Sequence, residues 1–424
     1  MRILNPIKHK FSNRFTQNVG WLGLAELLNR IFGLGTTVIL SRTLSFEDYG
    51  LLAIVLTIYE FGNIFTGKAG IGAKIVQASE QDVEVLCETA YWMSWFASGM
   101  IFLLQFLAAF PIAWFYQDAR LIAPLCVSAV MYLTLPPMTV QTALLERESR
   151  LNVFAICQVL RSFVANSLTI TFILLGWKFW AVVVASVLAL LPWVIIPRRM
   201  SSWRPKSTFT LHRWREIASY AVQIIGTEFL AKLRDNLDYL LVGRFLGLEA
   251  LGIYYFAFNA GLGISLSIIN ALTVSLWPYL CAARDQLQTL KKRYFTGLKT
   301  IALVVIPLVL LQVSLAPIYV PIVFGEHRRV AIPILILICL SAIPRPFFLA
   351  TTHLLNAVDQ AQISVRWSLC FTFIYGIALI IGTHYGIWSV ALAVLISQMV
   401  ITPIFVTWGI RFIFKKPVFQ SEEL

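Results

Sequence analysis

Charged residues are scarce in this chain of 424 residues. They occupy 13% of its positions, and 58% of its side chains are apolar, whereas about 25% of a typical soluble domain is charged. One or two soluble cores cannot bury so much apolar surface, so a water-soluble globular protein is excluded. The mean hydropathy of +0.77 and the long apolar runs predict a polytopic membrane protein.

Histidine and paired cysteine are scarce as well. The five histidines are scattered, the six cysteines form no C-x-x-C pair, and no polar stretch is long enough to fold as a domain. These absences disfavour metalloenzymes, most hydrolases and nucleic-acid binders, and they predict neither a catalytic residue nor a metal site. The first apolar stretch is too long for a signal peptide and lacks an A-x-A-like cleavage site, so we expect it to remain as a span.

Twelve apolar runs are long enough to form membrane-spanning helices, which need about 20 residues each. The runs lie near 18–41, 49–67, 88–115, 121–145, 153–175, 177–196, 216–242, 251–276, 294–323, 331–355, 364–383 and 386–411. The predicted inner segments hold 22 Lys and Arg residues and the outer loops six, which predicts cytoplasmic termini at both ends. The net charge of +13 then reflects topology and attraction to anionic membrane lipids, without any need for nucleic acid.

The sequence repeats itself at an offset of 202 residues. The shared pattern is R-x-L-x-x-E-x-x-G, in Arg42 to Gly50 and again in Arg244 to Gly252, and the same shift pairs Glu26 with Glu228 and Arg30 with Lys232. The repeat predicts an all-α fold of two six-helix bundles, 1–196 and 216–424, joined by a basic cytoplasmic linker, 197–215. Two parallel bundles around a central cavity are typical of alternating-access carriers; a duplication without transport is the alternative.

Ionised side chains within the predicted spans are the candidate functional residues, because each costs at least about 2.5 to 3.5 kcal/mol in the bilayer centre. Five bases are predicted to line a cavity for an anionic substrate: Arg30, Arg161, Lys232, Arg234 and Arg345. Five acids are predicted to bind a coupling ion, either a proton or sodium: Glu60, Asp235, Asp238, Glu26 and Glu228.

Some of these charges have a simpler interpretation. The pairs Glu26–Arg30, Glu228–Lys232 and Arg234–Asp238 are each four residues apart, a spacing at which opposite charges neutralise one another on one helix. Arg161 and Arg345 have no acid at that spacing and are the strongest candidates for contact with an anion, since arginine binds phosphate bidentately and stays charged. Among the acids, Asp235 and Asp238 are the leading candidates for coupling.

Seven short motifs resemble those of polysaccharide exporters of the Wzx type. They are the R-x-L-x-x-E-x-x-G after the first span, Gly70-Ile-Gly72-Ala-Lys-Ile-Val-Gln77, Gln141-Thr-Ala-Leu-Leu-Glu-Arg147, Trp203-Arg-Pro205, Asn236-Leu-Asp238-Tyr-Leu-Leu-Val-Gly243-Arg-Phe-Leu-Gly247, Leu251-Gly-Ile-Tyr254 and Leu276-Trp-Pro278. The resemblance extends over nearly the whole chain. That family belongs to a superfamily that also contains multidrug and toxin extruders and lipid II flippases.

The resemblance implies a twelve-helix flippase of the cytoplasmic (inner) membrane. Its substrate would be an undecaprenyl-pyrophosphate-linked oligosaccharide, delivered for the assembly of exopolysaccharide or O-antigen of lipopolysaccharide, with a polysaccharide polymerase and a chain-length regulator as expected partners. Asp238 matches the acidic position of the family's seventh span. Two alternatives stay open: a cation-coupled multidrug exporter of the same superfamily and a membrane-bound polysaccharide-assembly enzyme.

Overall fold

The computed structural model describes residues 28–30, 32–206 and 209–415, which form helices and turns without any strand. In chain order the helices are α1 (32–43), α2 (Phe46–Phe65), α3 (Lys68–Gln77), α4 (Val83–Tyr116), α5 (Ile122–Ala129), α6 (Pro136–Arg147), α7 (Leu151–Leu174), α8 (Trp180–Leu188), α9 (Leu191–Met200), α10 (Trp214–Phe245), α11 (Gly247–Cys281), α12 (Leu287–Tyr319), α13 (Ile332–Ser341), α14 (Arg345–Ala357), α15 (Ala361–Thr383) and α16 (Ile387–Lys415). The predicted all-α class is confirmed.

Long apolar helices dominate the described residues. Eight helical segments there are long and apolar enough to cross a membrane, or nine if the bent pair of α5 and α6 is one span. Large apolar side chains remain exposed on these segments, as at Trp114 (82%) and Leu174 (78%), which fits contact with lipid. The protein is therefore a multi-pass membrane protein.

The predicted spans correspond to single helices or to helices broken at glycine or proline. The predicted fourth span bends by 46° between Thr134 and Pro136, because proline cannot continue the hydrogen bonding of the preceding helix. The predicted second span continues beyond Gly67, whose φ of 66° allows a turn, into α3. Lys68, which was counted among the basic residues of the inner segments, begins α3, so the chain after the second span is helical.

Not every predicted span can be recognised by apolarity in the structure. The first part of the predicted first span, residues 18–27, falls outside the described residues, and α1 covers 32–41 of it. The predicted seventh span lies within α10, a helix of 32 residues that is long enough to cross a bilayer but interrupted by charges. The predicted eighth span lies within α11, which has 35 residues.

Packing divides the chain into two compact units. Unit 1 comprises Met1–Leu44 and Leu51–Lys232, and unit 2 comprises Ser45–Gly50 and Leu233–Leu424. The division falls inside α10, and the linker belongs to unit 1, where the Lys206 ammonium lies 2.6 Å from a Glu84 carboxylate oxygen of α4. The bundle boundaries at 196 and 216 describe the sequence repeat and stay a prediction.

The glycines that end the two copies of the repeated motif meet in unit 2. A Cβ on Gly50 would overlap the carbonyl oxygen of Leu248, and a Cβ on Gly252 would overlap that of Phe46. The repeat relates the two contacts: Gly50 and Gly252 are 202 positions apart, and so are Phe46 and Leu248. The repeat therefore corresponds to a reciprocal close approach of α2 and α11, which only glycine permits.

Candidate functional site: a polar cavity and a cluster of charges

A cavity of about 530 Å³ lies within unit 1. Ligand sites for small molecules typically have volumes of about 300 to 1,000 Å³. Residues from α2, α3, α6, α7, α9 and α10 line the cavity, together with Gly67 between α2 and α3. The cavity is also lined by two of the sequence motifs, through Gly70, Gly72 and Gln77 of one and Thr142 and Glu146 of the other.

Small residues of α3 bring this helix close to its neighbours. A Cβ on Gly70 would lie 2.5 Å from the Cα of Ala221 in α10, a distance at which the two backbones would have to separate. Arg147 fixes the other end of α3, where its guanidinium donates to the carbonyl oxygens of Ile75, Val76 and Ala78. A cation at the C-terminus of a helix is stabilised by the helix dipole.

The ammonium group of Lys68 lies over the aromatic ring of Trp193 in this cavity. The Nζ atom of Lys68 lies 5.8 Å from the centre of the Trp193 ring, within the range of a cation–π interaction. Phe154, which also lines the cavity, packs edge to face on Trp193 with ring centres 5.6 Å apart. Trp193 is therefore held in place, with lysine beside it.

The remaining polar groups of the cavity are suited to binding hydroxyl groups. Thr142 donates its hydroxyl proton to the backbone carbonyl of Met138, which leaves its oxygen lone pairs as acceptors. Thr139 donates to the Leu135 carbonyl, and its oxygen also lies 3.2 Å from the Ser94 hydroxyl. The amide of Asn63 and the carboxylates of Glu146 and Glu228 also line the cavity. Glu228 is the sequence-predicted residue that this cavity contains.

Two other predicted residues of unit 1 form an ion pair. The Nζ atom of Lys232 in α10 lies 2.8 Å from the Oε2 atom of Glu60 in α2, and both side chains are nearly half exposed (43% and 46%). The alternative that Glu228 neutralises Lys232 was based on the spacing of these two residues within one helix. The structure shows that Lys232 is also paired with Glu60, which is 172 positions away in sequence.

The remaining predicted residues of the N-terminal half are not among the described residues that line the cavity. Arg161 is exposed on α7 and lies within electrostatic range of Tyr59 and Lys68. Arg30 is half-buried in the helical segment 28–30. Glu26, and hence the predicted Glu26–Arg30 pair, lies outside the described residues.

Unit 2 contains a cluster of charges in the second half of α10. The Nη2 atom of Arg345 in α14 lies 3.0 Å from the Oδ1 atom of Asp235, with about a third of each side chain exposed. No acid lies three or four residues from Arg345 in its own helix, so this pair was not predicted. The acid comes from another helix, 110 residues away in sequence.

Asp238 and Arg234 belong to the same cluster, but they have separate partners. The Asp238 carboxylate is 4% exposed and accepts hydrogen bonds from the Tyr254 hydroxyl at 2.7 Å and the Tyr239 amide at 2.9 Å. Arg234 donates to the Ser368 hydroxyl at 2.9 Å and lies over the ring of Phe348. Among the described contacts, Asp238 is therefore bound by Tyr254 and Tyr239, and Arg234 is not its neutralising partner.

The cation and the aromatic ring of the cavity were not predicted from the sequence. Lys68 was counted among the basic residues of the inner segments, and Trp193 was not singled out. The available signal was the pair of motifs Gly70 to Gln77 and Gln141 to Arg147. Their order along the chain indicated the family, but it did not indicate where the motifs lie in space. A sequence does not show that these motifs face one cavity.

Comparison with known proteins places the chain in a family. A model of polysaccharide biosynthesis proteins matches residues 39–333. The chain is 24% identical over 322 residues to the teichuronic acid biosynthesis protein TuaB of Bacillus subtilis, covering 75% of this chain and 66% of that one. It is 22% identical to the lipopolysaccharide biosynthesis protein WzxC of Escherichia coli, covering 90% of this chain and 78% of that one.

Solved structures show the same fold. A multidrug resistance MATE family transporter of the MOP superfamily in an inward-facing conformation superposes with a TM-score of 0.75 at 17% identity, over 92% of this chain and 96% of that one. The lipid II flippase MurJ in an inward closed conformation also gives a TM-score of 0.75, at 14% identity, over 92% and 87%. The resemblance to Wzx-type exporters is thereby confirmed, and the chain belongs to the family of polysaccharide biosynthesis proteins.

Proposed function

We propose that this protein is a flippase that moves an undecaprenyl-pyrophosphate-linked oligosaccharide across the cytoplasmic membrane. Both termini would face the cytoplasm, and the delivered repeat unit would be polymerised into exopolysaccharide or O-antigen, by a polymerase and a chain-length regulator. Membership in the family of polysaccharide biosynthesis proteins and a fold shared with a lipid II flippase support this proposal. Such a protein moves its substrate by alternating access and makes or breaks no covalent bond.

The chemistry of the unit 1 cavity is the observation that carries the proposal. A sugar presents hydroxyl groups around its edge and C–H groups on its faces. Carboxylates, amides and hydroxyl oxygens satisfy the former, and an aromatic face such as that of Trp193 packs against the latter. Lys68, beside Trp193, supplies the positive charge that a pyrophosphate needs when it leaves water.

Other cations add to the attraction of an anionic head group. Arg161 is exposed and acts electrostatically on Lys68, so we propose that it receives the pyrophosphate at the cavity. We propose that four further bases also line a cavity for the substrate: Arg30, Lys232, Arg234 and Arg345. Arg345 and Lys232 already have carboxylate partners at 3.0 and 2.8 Å, so their contribution to substrate binding should be smaller than that of Lys68.

The acids of unit 2 suit a different task. A carboxylate enclosed in protein binds a proton or sodium ion, and the bound cation changes which conformation is favoured. Asp238 is the most enclosed of the predicted acids that the structure describes, and we propose it as the coupling residue, with Asp235 and Glu60 as secondary candidates. No other cofactor is needed for this mechanism.

Substitution of the cavity residues tests the proposed function. Trp193→Ala and Lys68→Ala should each lower translocation of lipid-linked oligosaccharide in proteoliposomes, by about 2- to 10-fold for the ring and about 10-fold or more for the charge. Trp193→Phe should retain most activity. Matched controls are Trp114→Ala, whose ring is 82% exposed, and Lys299→Ala, exposed on α12. Equal activity of cavity variants and controls would overturn the assignment of this cavity.

A cation-coupled multidrug exporter is the second candidate. The two carboxylates Glu146 and Glu228 in the cavity and the shared fold of a multidrug transporter favour it. An organic cation would be bound through these acids and repelled by Lys68, so Lys68→Ala should improve drug export while impairing oligosaccharide translocation. Drug resistance conferred by the wild-type protein, without any translocation of lipid-linked oligosaccharide, would select the exporter instead.

A further inference from the structure

A second, shallower groove lies between α11 and α12 in unit 2. Its volume is about 350 Å³, and its lining includes the apolar side chains of Leu276 and Ile301 and the hydroxyl groups of Thr296 and Thr300. One wall of the groove is α12, which belongs to the apolar segment Leu287–Phe324. The α12 wall of the groove lies near the start of this segment, next to the basic run Lys291-Lys292-Arg293.

One end of this groove is basic. Arg293 donates to the backbone carbonyl of Tyr279 at 2.8 Å and lies 4.8 Å from the centre of its ring, and Tyr279 lines the groove. Lys292 is exposed and lies four residues before Thr296, which places it on the same face of α12. The acid beside these bases, Asp285, is already close to Arg284, at 3.5 Å.

We propose that the groove between α11 and α12 binds an anionic phospholipid of the surrounding membrane. One acyl chain lies along Leu276 and Ile301, and the phosphate contacts Arg293 and Lys292. A basic pocket between membrane helices at the bilayer surface favours such lipids, and an arginine held in place by a ring contact loses little side-chain entropy when it binds phosphate. The lipid is a bound partner of the protein and is distinct from the transported substrate.

Lipid binding by the purified protein tests this proposal. The full chain in neutral detergent is titrated with phosphatidylglycerol or phosphatidylcholine, and bound lipid is measured by native mass spectrometry. The wild type should retain phosphatidylglycerol saturably and in preference to phosphatidylcholine. Arg293→Ala should weaken this binding about fivefold, the effect of one basic residue near an anionic surface, while Arg366→Ala, exposed on α15, should leave it unchanged.

A second variant separates the groove from the charge. Thr296→Trp should fill the groove and remove saturable lipid binding while leaving the Tm in lipid-free detergent unchanged. If Thr296→Trp lowers the Tm, its loss of lipid binding reflects the fold, and the affinity of Arg293→Ala alone tests the proposal. Equal retention of the two lipids, or wild-type affinity in Arg293→Ala, would overturn the proposal. Competition by millimolar inorganic phosphate as effective as by phosphatidylglycerol would also overturn it, because the apolar wall would then contribute nothing.

Discussion

The two units use their ionisable side chains differently. In unit 1, Lys68, Glu146 and Glu228 line open space. In unit 2, Asp235 forms an ion pair with Arg345, and Asp238 accepts a hydrogen bond from the Tyr254 hydroxyl. Groups that face a cavity are available to a ligand, whereas groups that satisfy one another respond chiefly to a change of protonation or of conformation.

This difference suggests a division of work along α10. Residues up to Lys232 belong to unit 1 and residues from Leu233 to unit 2, so one helix contributes Glu228 to the cavity and Asp235 and Asp238 to the charge cluster. The following substitutions test whether the two regions are separable.

The largest effect is expected at Asp238. Asp238→Asn keeps the size of the side chain and removes its ability to be ionised, so we expect translocation to lose its dependence on an ion gradient. Proteoliposomes with and without imposed proton and sodium gradients provide the measurement. Glu146→Gln, in the cavity of unit 1, should retain the gradient dependence. A gradient response in Asp238→Asn equal to that of the wild type would remove this residue from coupling.

The Arg345–Asp235 pair should show strong energetic coupling. Removing Arg345 leaves a partly buried carboxylate without its partner, at a cost of about 1 to 3 kcal/mol, less than a fully buried pair because a third of each group is exposed. Arg345→Ala should therefore lower the Tm in detergent, and adding Asp235→Ala should restore part of it. Additive losses in the double variant would show that the two side chains do not interact in solution.

A smaller coupling is expected for the Lys232–Glu60 pair of unit 1. Both groups are nearly half exposed, so a double-substitution cycle with Lys232→Ala and Glu60→Ala should give about 0.2 to 1 kcal/mol. The same Tm assay provides the comparison with the unit 2 pair. A coupling larger than that of Arg345 and Asp235 would contradict the distinction drawn between the two regions.

The smallest effect is expected at the loop before α4, outside the spans. The Ser79 hydroxyl and then the Arg213 guanidinium hold the pKa of Asp82 below its usual value, and Arg213 Nη1 lies 2.5 Å from Asp82 Oδ1. A lowered pKa means that the contact stabilises the fold above the unfolded-state pKa and is lost as pH falls through the folded-state pKa. Proteolysis at the linker should accelerate slightly at acid pH, and Asp82→Asn should remove that dependence.

Much of the fold could be predicted from sequence because it depends on local properties. Apolar length located the helices, and the repeat at an offset of 202 led to Gly50 and Gly252, which meet in the structure. The end of the second span was predicted at residue 67, where Gly67 adopts a positive φ. The short helix α3 that follows was not predicted, because Lys68–Gln77 is too short and too polar to be recognised as a separate span.

The site was harder to predict because its contacts join distant helices. The i, i+4 rule led to Arg234–Asp238 as a possible pair, whereas the described contacts give Arg345–Asp235 and Tyr254–Asp238. Spacing along one helix cannot indicate a partner on another helix, since that contact depends on how the helices pack. The location of the cavity was likewise not predictable, since it depends on how α3, α6 and α10 pack.

Affinity for the lipid-linked oligosaccharide tests the separation of the two regions most directly. Dissociation constants would be compared for the wild type, Lys68→Ala and the double variant Arg345→Ala/Asp235→Ala in detergent. We expect Lys68→Ala to weaken binding about tenfold or more and the double variant to stay within about twofold of the wild type. Weakened binding in the double variant together with unchanged binding in Lys68→Ala would place the substrate in unit 2 and contradict the account.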